Sequence, residues 1–412
     1  MTDFYAKKIH MVGIKGQGMT ALAELLKAQG AAITGSDTAE EFNTEAVLER
    51  LGVKSFNFAA SNIKPNLDLV VYSSAYGKEQ VERRQAKKLG IKQISYAEAL
   101  AEIFNAKKGI LVAGTHGKTT TTALLGHILA EAGLDPTVAV GGVVANWNAN
   151  VLIGRSEWMV AEGDEYQKKF LLFKPYYLVL TTIDYDHPDT FKSPEEYIRA
   201  FEALKAQTLK RVFSRKDAIK GLDTGNLIGA HNQLNVGLAA RVAQELGVSR
   251  KNIEKAVKSF RGVGRRLEIY YQSERLIVAD DYAHHPTEIQ ATLRGLKEKY
   301  PGWQIRVVFE PHTYSRTKAL LKEFAGSFSD ADEVVLLPIF SSARERAPKG
   351  KDLAQTLFEA LKQNHAKAFF GRKNINLLLK DMDNKEKIFF LTMGAGDVWQ
   401  IARKLKKNLA LR

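Results

Sequence analysis

Between Gly109 and Gly133 the sequence reads GILVAGTHGKTTTTALLGHILAEAG, which carries the residue types needed to hold a chain of phosphates. The apolar run Ile110–Ala113 predicts a buried strand, and the polar turn Gly114–Thr120 follows it. Leu124, Leu125, Ile128, Leu129 and Ala132 then predict one face of an amphipathic helix closed by Gly133. Strand, glycine turn and helix N-terminus aim unpaired backbone N–H groups and the positive end of the helix dipole at one anion. In such a cradle Gly114, Thr115, Gly117 and Thr120 surround the phosphates, Lys118 reaches the β- and γ-phosphates, and the Thr119 hydroxyl ligates Mg²⁺. The turn is the shortened form GxxGKTT, because Val112 stands where the longer phosphate-loop pattern has its first glycine.

Other candidate groups lie where strands are expected to end. Trp158–Ala161 leads into Glu162, Asp164 and Glu165, and Tyr177–Leu180 leads into Asp184, Asp186 and His187. Carboxylate and imidazole delivered beside Lys118 suit Mg²⁺, which leaves most of its shell to water and phosphate oxygens. Glu162 and His187 are the stronger candidates; Asp164, Glu165 and Asp184 read equally well as exposed loop acids. Asn232 and Asn235 share a helix face suited to an adenine edge or its ribose, or to N-capping. Arg265 and Arg266 close a hinge-like stretch, Phe260–Arg266, and are fit for phosphates. Asp280, Asp281, His284 and His285 follow another strand; with no i,i+4 histidine pair they suit nucleotide contacts better than zinc.

The N-terminal stretch has a second glycine turn. Ile9–Val12 enters Gly13, Gly16 and Gly18 in a GxxGxG spacing, and a helix and strand end at Asp37. That is a Rossmann-like opening for a nucleotide or nucleotide sugar, with Asp37 as a contact. Leu67–Tyr72 predicts the next strand, leading to Ser74. Val138–Val144 reads as a strand entering a glycine loop, and from Leu267 the βα alternation resumes.

At 412 residues the chain calls for two or three domains. Its 45% hydrophobic and 26% charged content is that of a soluble globular protein, and no apolar run is long enough to span a bilayer. The absence of cysteine excludes disulfides, a thiol nucleophile and thiolate-bound zinc. The net charge of +14 is dispersed in short lysine pairs with no aromatic-interleaved stripe, so nucleic acid is not the expected partner.

As an ordered set, GIKGQGM, GSD, GTHGKTTTT, AEGDE, IDYDH, HNQLN, FRGVGRRLE, DDYAHHPTE, EPHTYSRT and GAGD resemble the Mur ligases over nearly the whole chain. The resemblance implies an α/β protein of three domains. These are a Rossmann-like UDP-sugar domain over 1–106, a trimmed P-loop ATPase-like domain over 107–263, and a Rossmann-like C-terminal domain over 264–412. It implies a cytoplasmic enzyme, monomer or homodimer, that uses ATP and Mg²⁺ to join L-alanine to the carboxylate of UDP-N-acetylmuramate through an acyl phosphate. It further implies that Thr119 and Glu162 hold one Mg²⁺ and His187 a second. Asn232 and Asn235 would meet adenine, Asp281 and His285 the ribose, and Arg265 a phosphate. His312 and Arg316 would hold the incoming amino acid, while Gly13, Gly16, Gly18, Asp37 and Ser74 receive the UDP end. GDEYQKKF and GGVVANWN lean towards the branch that attaches L-alanyl-γ-D-glutamyl-meso-diaminopimelate to the same sugar nucleotide; PHTYSRT does not. A P-loop ATPase switch without ligase activity is the alternative from another class.

Overall fold

The computed structural model describes residues 4–40, 42, 44–340, 345, 352–364, 367–379 and 386–409. The chain opens with β1 (Lys8–Val12), α1 (Gln17–Ala28), β2 (Ala32–Asp37), α2 (Glu45–Arg50), β3 (Ser55–Asn57), β4 (Leu69–Tyr72), α3 (Val81–Lys88), β5 (Gln93–Ser95) and α4 (Tyr96–Asn105). The five strands form a parallel sheet in the order β3-β2-β1-β4-β5. Its central strands are buried on both faces, Ile9, Met11 and Val12 beside Leu69, Val70 and Val71, as a sheet covered by helices requires. Strand order reverses between β1 and β4, which opens a crevice at their carboxyl ends.

The middle unit follows with β6 (Lys108–Ala113), α5 (Lys118–Glu131), β7 (Thr137–Val144), β8 (Ala149–Leu152), β9 (Trp158–Gly163), β10 (Tyr177–Leu180), α6 (Pro194–Ala206), β11 (Arg211–Phe213), α7 (Ala230–Glu245) and α8 (Arg250–Ser259). Its strand order is β11-β10-β6-β9-β7-β8, with β8 antiparallel to β7 and the other pairings parallel. The expected shortening after α6 thus leaves six strands, the affected stretch supplying only the three-residue β11. Helix α5 is not amphipathic in place. Every residue from Thr119 to Leu129 is buried, because α5 is packed against β7 and β9 and against α7 and α8. Nor does β7 stop at its glycines. It runs through Gly141 and Gly142 to Val144, and the amide of Gly141 donates to Glu162 Oε1 at 2.5 Å.

The last unit comprises β12 (Glu268–Gln272), β13 (Leu276–Asp281), α9 (Pro286–Lys299), β14 (Gln304–Phe309), α10 (Tyr314–Ala319), α11 (Leu321–Ala325), β15 (Glu333–Leu336), α12 (Leu353–Asn364), β16 (Ala368–Phe370), α13 (Ile375–Leu379), β17 (Ile388–Met393) and α14 (Trp399–Leu409). The order is β12-β13-β17-β14-β15-β16, with β12 an antiparallel edge strand hairpinned onto β13. The βα alternation therefore resumes one strand later than Leu267.

Among the described residues, the joints between these units include one at Phe104 and one at the hinge-like stretch. Phe104 at the end of α4 is fully buried against Phe173, ring centroids 5.1 Å apart, and the apolar core is continuous from the first sheet to the middle one. The hinge-like stretch is strapped onto β7. Gly264 donates to Val143 O at 2.8 Å, Ala145 to Gly262 O at 3.1 Å, and Val263 bridges Val144. Among the described residues no helix is long and apolar enough to cross a membrane. Truncating the buried ring at the first joint, Phe104→Ala, is expected to cost about 3–5 kcal/mol in urea unfolding. A cost below about 1 kcal/mol would show that the two cores are not continuous through this residue.

Candidate active site

The anion cradle is built by the turn between β6 and α5. Gly117 is the N-cap of α5 with φ +82°, and a Cβ there would collide with Asn235 Oδ1. Only glycine lets the backbone pass that close at a left-handed angle. The loop after β10 shapes the other side. Thr115 N donates to Thr182 O at 2.8 Å, His116 N to Thr182 Oγ1 at 3.0 Å, and Thr115 Oγ1 to Asp184 O at 2.7 Å. Lys118 curls back over the turn, its Nζ donating to Gly114 O at 2.5 Å and Thr115 O at 3.1 Å. The same Nζ is 2.9 Å from Glu165 Oε2. Burial works against the ammonium, yet the Glu165 charge holds its pKa above the ordinary lysine value. Thr120, beside them, is buried in the first turn of α5.

At the edge of the cradle Thr119 Oγ1 donates to Glu162 Oε2 at 3.1 Å and receives Arg266 Nη2 at 3.2 Å. Burial pushes the Glu162 carboxyl up, against the pull of the Gly141 amide, Arg266 and Lys118. A hydroxyl beside a carboxylate is a hard-oxygen pair that fits Mg²⁺, which takes few side chains when phosphates supply the rest. Among the described residues no three His, Cys, Asp or Glu side chains converge into a ready-made metal cage. His187 stands apart from this pair. Its backbone is left-handed, φ +57°, and its Nε2 lies 3.4 Å from Glu165 Oε1.

Among the described residues, the last unit meets the cradle in polar contacts that include three pairs. One is Arg266 with Thr119. In the second, His116 lies 3.3 Å from Asp184 and 3.1 Å from Glu288 at the start of α9, its ring 4.8 Å from that of His285. The third is a buried two-pronged pair, Arg316 Nε and Nη2 donating to the Asp186 carboxylate at 2.9 and 3.0 Å. Burial opposes the Asp186 charge, but Arg316 holds its carboxyl far below the usual range.

Several expected contacts find other uses. The Arg265 guanidinium is occupied, by Asp280 at 3.0 Å, Gly394 O at 2.6 Å and Gly396 O at 3.1 Å; Arg266 is the arginine that reaches the cradle. Asp281 accepts from the amides of Leu267 and Ala283, both at 2.8 Å, which fixes the linker rather than facing the cradle. Burial lifts its carboxyl to about 6. His285 caps α9, its Nδ1 accepting from Thr287 N at 3.3 Å. Asn235 is buried behind Gly117 and donates to Asn232 Oδ1 at 2.9 Å, while Asn232 lines the cavity. His312 O accepts from Arg316 Nη1 at 2.8 Å, so the two residues expected at the amino acid are coupled to each other and to Asp186. Glu165 is the reverse case. Taken for a possible exposed acid, it is 2% exposed and central. Its sequence neighbours Asp164 and Lys169, both charged, gave no sign of this.

In the first unit Gly13, φ +82°, leaves room for the Tyr76 ring, whose Cε2 would lie 2.5 Å from a Cβ. Asp37 is 2% exposed and accepts from Lys15 N at 2.7 Å, Thr38 N at 2.9 Å and Tyr76 Oη at 3.0 Å. Its carboxylate braces the crevice from within. Gly16 caps α1, Gly18 packs under the Tyr96 ring, and Ser74 is exposed just beyond β4. Gln17, between those glycines, lines the same open cavity of about 1410 Å³ as Lys118, Glu162, Asp186, Arg266 and Glu288. One cavity thus takes walls from all three units.

A three-unit α/β chain with this cradle is a nucleotide-dependent ligase of the Mur type, and sequence comparison agrees. Residues 8–108 match the Mur ligase family catalytic domain, residues 112–214 the Mur ligase middle domain, and residues 265–396 the Mur ligase glutamate ligase domain. The chain belongs to the Mur ligase family. It is 37% identical to the UDP-N-acetylmuramate–L-alanine ligase of Desulfitobacterium hafniense, across 96% of this chain and 99% of that one. It is 35% identical to the ligase of the same name from Bdellovibrio bacteriovorus, across 98% and 99%. Among solved structures it is similar to the UDP-N-acetylmuramate–alanine ligase of Thermotoga maritima, with a TM-score of 0.82 and 27% identity over 98% of this chain and 100% of that one.

The His116 contacts give a pH prediction. Burial lowers the imidazole, but the carboxylates of Asp184 and Glu288, 3.3 and 3.1 Å away, outweigh it and lift the pKa from 6.5 to about 9. The stabilisation is therefore fully present below pH 6.5 and is lost as pH rises through about 9. The gap in thermal midpoint between the parent and His116→Gln should be largest at low pH and close across that window. A gap independent of pH would contradict the charged bridge.

Proposed function

We infer that the chain joins L-alanine to the carboxylate of UDP-N-acetylmuramate at the expense of ATP. The observation that carries this is the single cavity in which the Lys118 cradle, the Thr119–Glu162 pair and the partner of Arg316 face one another. The strong identity to L-alanine ligases over nearly the whole chain supports the choice of substrates. On this reading the division at 1–106, 107–263 and 264–412 assigns sugar nucleotide, ATP and amino acid to successive units of a cytoplasmic enzyme.

The chemistry sets what the residues must do. A carboxylate oxygen attacks the γ-phosphorus of ATP, so anion approaches anion, and the barrier falls only if fixed positive charge surrounds the transferring group. Lys118 and Arg266 supply that charge, and the backbone N–H groups at the start of α5 hold the phosphates in line. Thr119 and Glu162 would hold Mg²⁺ and His187 a second ion, and the metal would supply further positive charge against the transferring group. Asn232, in the cavity wall, would meet adenosine, with His285 at the N-terminus of α9 as a further contact, and Gly13, Gly16, Gly18 and Ser74 would receive UDP. The α-carboxylate of alanine would take the place of Asp186 on Arg316, and Asp186, buried and deprived of that partner, would have to turn to another positive group. His312 stands beside Arg316. Attack of the amine on the acyl phosphate then expels inorganic phosphate.

The test is phosphate release from ATP and Mg²⁺ in the presence of UDP-N-acetylmuramate. L-Alanine, L-serine, glycine and L-alanyl-γ-D-glutamyl-meso-diaminopimelate are each added singly. Release that needs both the sugar nucleotide and L-alanine is expected. Release driven by the tripeptide would move the chain to the recycling branch, and release needing neither would make it an ATPase switch. Lys118→Ala should lower the rate by at least about 100-fold, the scale of losing one charge-stabilising donor.

A further inference from the structure

Glu165 has no part in the scheme above, yet it is among the most deliberately placed groups in the cavity wall. Its side chain is 3% exposed, and both its oxygens lie within reach of Lys118 Nζ, at 3.2 and 2.9 Å. The loop after β9 is bent to put it there. Gln167 and Lys168 are both left-handed, φ 55° and 58°, Lys168 N returns to Glu165 O at 2.8 Å, and Phe170 is buried against Phe201 with ring centroids 5.0 Å apart. Such backbone strain needs an over-determined surrounding, which the Phe170 anchor provides. The third neighbour is His187 Nε2, 3.4 Å from Glu165 Oε1.

A buried carboxylate on the lysine that must meet the anion poses an electrostatic problem. The ammonium has three N–H bonds, and in this structure they are spent on Gly114 O, Thr115 O and Glu165. To engage a γ-phosphate, Lys118 must release one of them. The backbone carbonyls are fixed by the turn, so the carboxylate is the acceptor that is given up. Glu165 is then buried, negative, short of its main partner and close to a triphosphate, an arrangement that is unfavourable unless another cation takes the place of the lysine. A divalent ion arriving with the triphosphate is such a cation, and His187 is already beside the carboxylate.

We propose that Glu165 is the resting counter-ion of Lys118 and that, on handing the lysine to the triphosphate, it turns to the accompanying divalent cation, making nucleotide binding conditional on that cation. Glu165 acts here as a positioning residue, and the inference rests on the reading of the cradle as an ATP site. It separates Glu165 from Glu162. Glu162 is tied to Thr119 and the Gly141 amide whether or not Lys118 moves, whereas Glu165 loses its partner when the anion binds.

The test uses equilibrium binding of a non-hydrolysable ATP analogue, adenylyl imidodiphosphate, to the full chain by calorimetry in EDTA and in excess Mg²⁺. The parent should gain about 100-fold in affinity with Mg²⁺. Glu165→Gln should bind the analogue about tenfold more tightly than the parent in EDTA and lose most of the Mg²⁺ gain. Glu165→Asp, which keeps the charge, should restore that gain. A Gln variant that binds more weakly in both conditions by the same factor has lost only structure, and overturns the proposal. A second measurement stands if that variant does not fold. In Lys118→Ala without nucleotide, Glu165 is released, so Mn²⁺ should bind about tenfold more tightly by electron paramagnetic resonance than in the parent. Unchanged Mn²⁺ affinity overturns the proposal. If the analogue binds the folded parent under neither condition, the ATP reading itself fails, and the inference falls with it.

Discussion

An ammonium group taken out of water must find a fixed acceptor for every N–H, and the site is arranged around how Lys118 meets that demand. Two of its acceptors are carbonyls of the turn that precedes it, and the third is a buried carboxylate. The turn can offer those carbonyls only because Gly117 takes a left-handed angle against Asn235. It holds its shape because Thr182 and Asp184, from the loop after β10, bond to Thr115 and His116. A charge in a low-dielectric pocket is therefore the constraint that the turn, the loop and the strained stretch after β9 all serve.

The same constraint accounts for the way the last unit docks. Arg266, Glu288 and Arg316 each contact a residue in or next to the cradle: Thr119, His116 and Asp186. Removing one partner of such a buried pair costs far more than the pair contributes, so these contacts are a means of registration rather than a reserve of stability. All three contacts are between charged or polar groups at the rim of the cradle. The first joint, at Phe104, is apolar instead.

Much of this was legible in the sequence. Hydrophobic runs ending in polar motifs marked most of the central strands of the three sheets, and the glycine–lysine–threonine turn marked the cradle. The edge strands β3, β5, β11 and β16 are three residues long, too short to show a period. Helix α5 departs from the amphipathic pattern expected of it, because Thr121 and Thr122, which are not among the residues of its expected apolar face, are wholly buried as well. Arginine and carboxylate roles were the least legible. Arg265 and Arg266 are adjacent and chemically identical, and only the left-handed turn at Arg265, φ +61°, sends one towards Asp280 and the other towards Thr119. Glu165 and Asp164 are adjacent too, and the bend that buries one and exposes the other lies in residues with no turn signature.

Oxygen labelling tests most directly whether this cavity drives phosphoryl transfer from ATP onto a carboxylate. UDP-N-acetylmuramate carrying ¹⁸O in its carboxylate is turned over with ATP and L-alanine, and the released inorganic phosphate is analysed by mass spectrometry. If an acyl phosphate forms, its bridging oxygen leaves with the phosphate, and each phosphate released in ligation carries one ¹⁸O. Unlabelled phosphate would contradict the account, because it would mean that ATP is cleaved by water and the carboxylate never meets the γ-phosphorus.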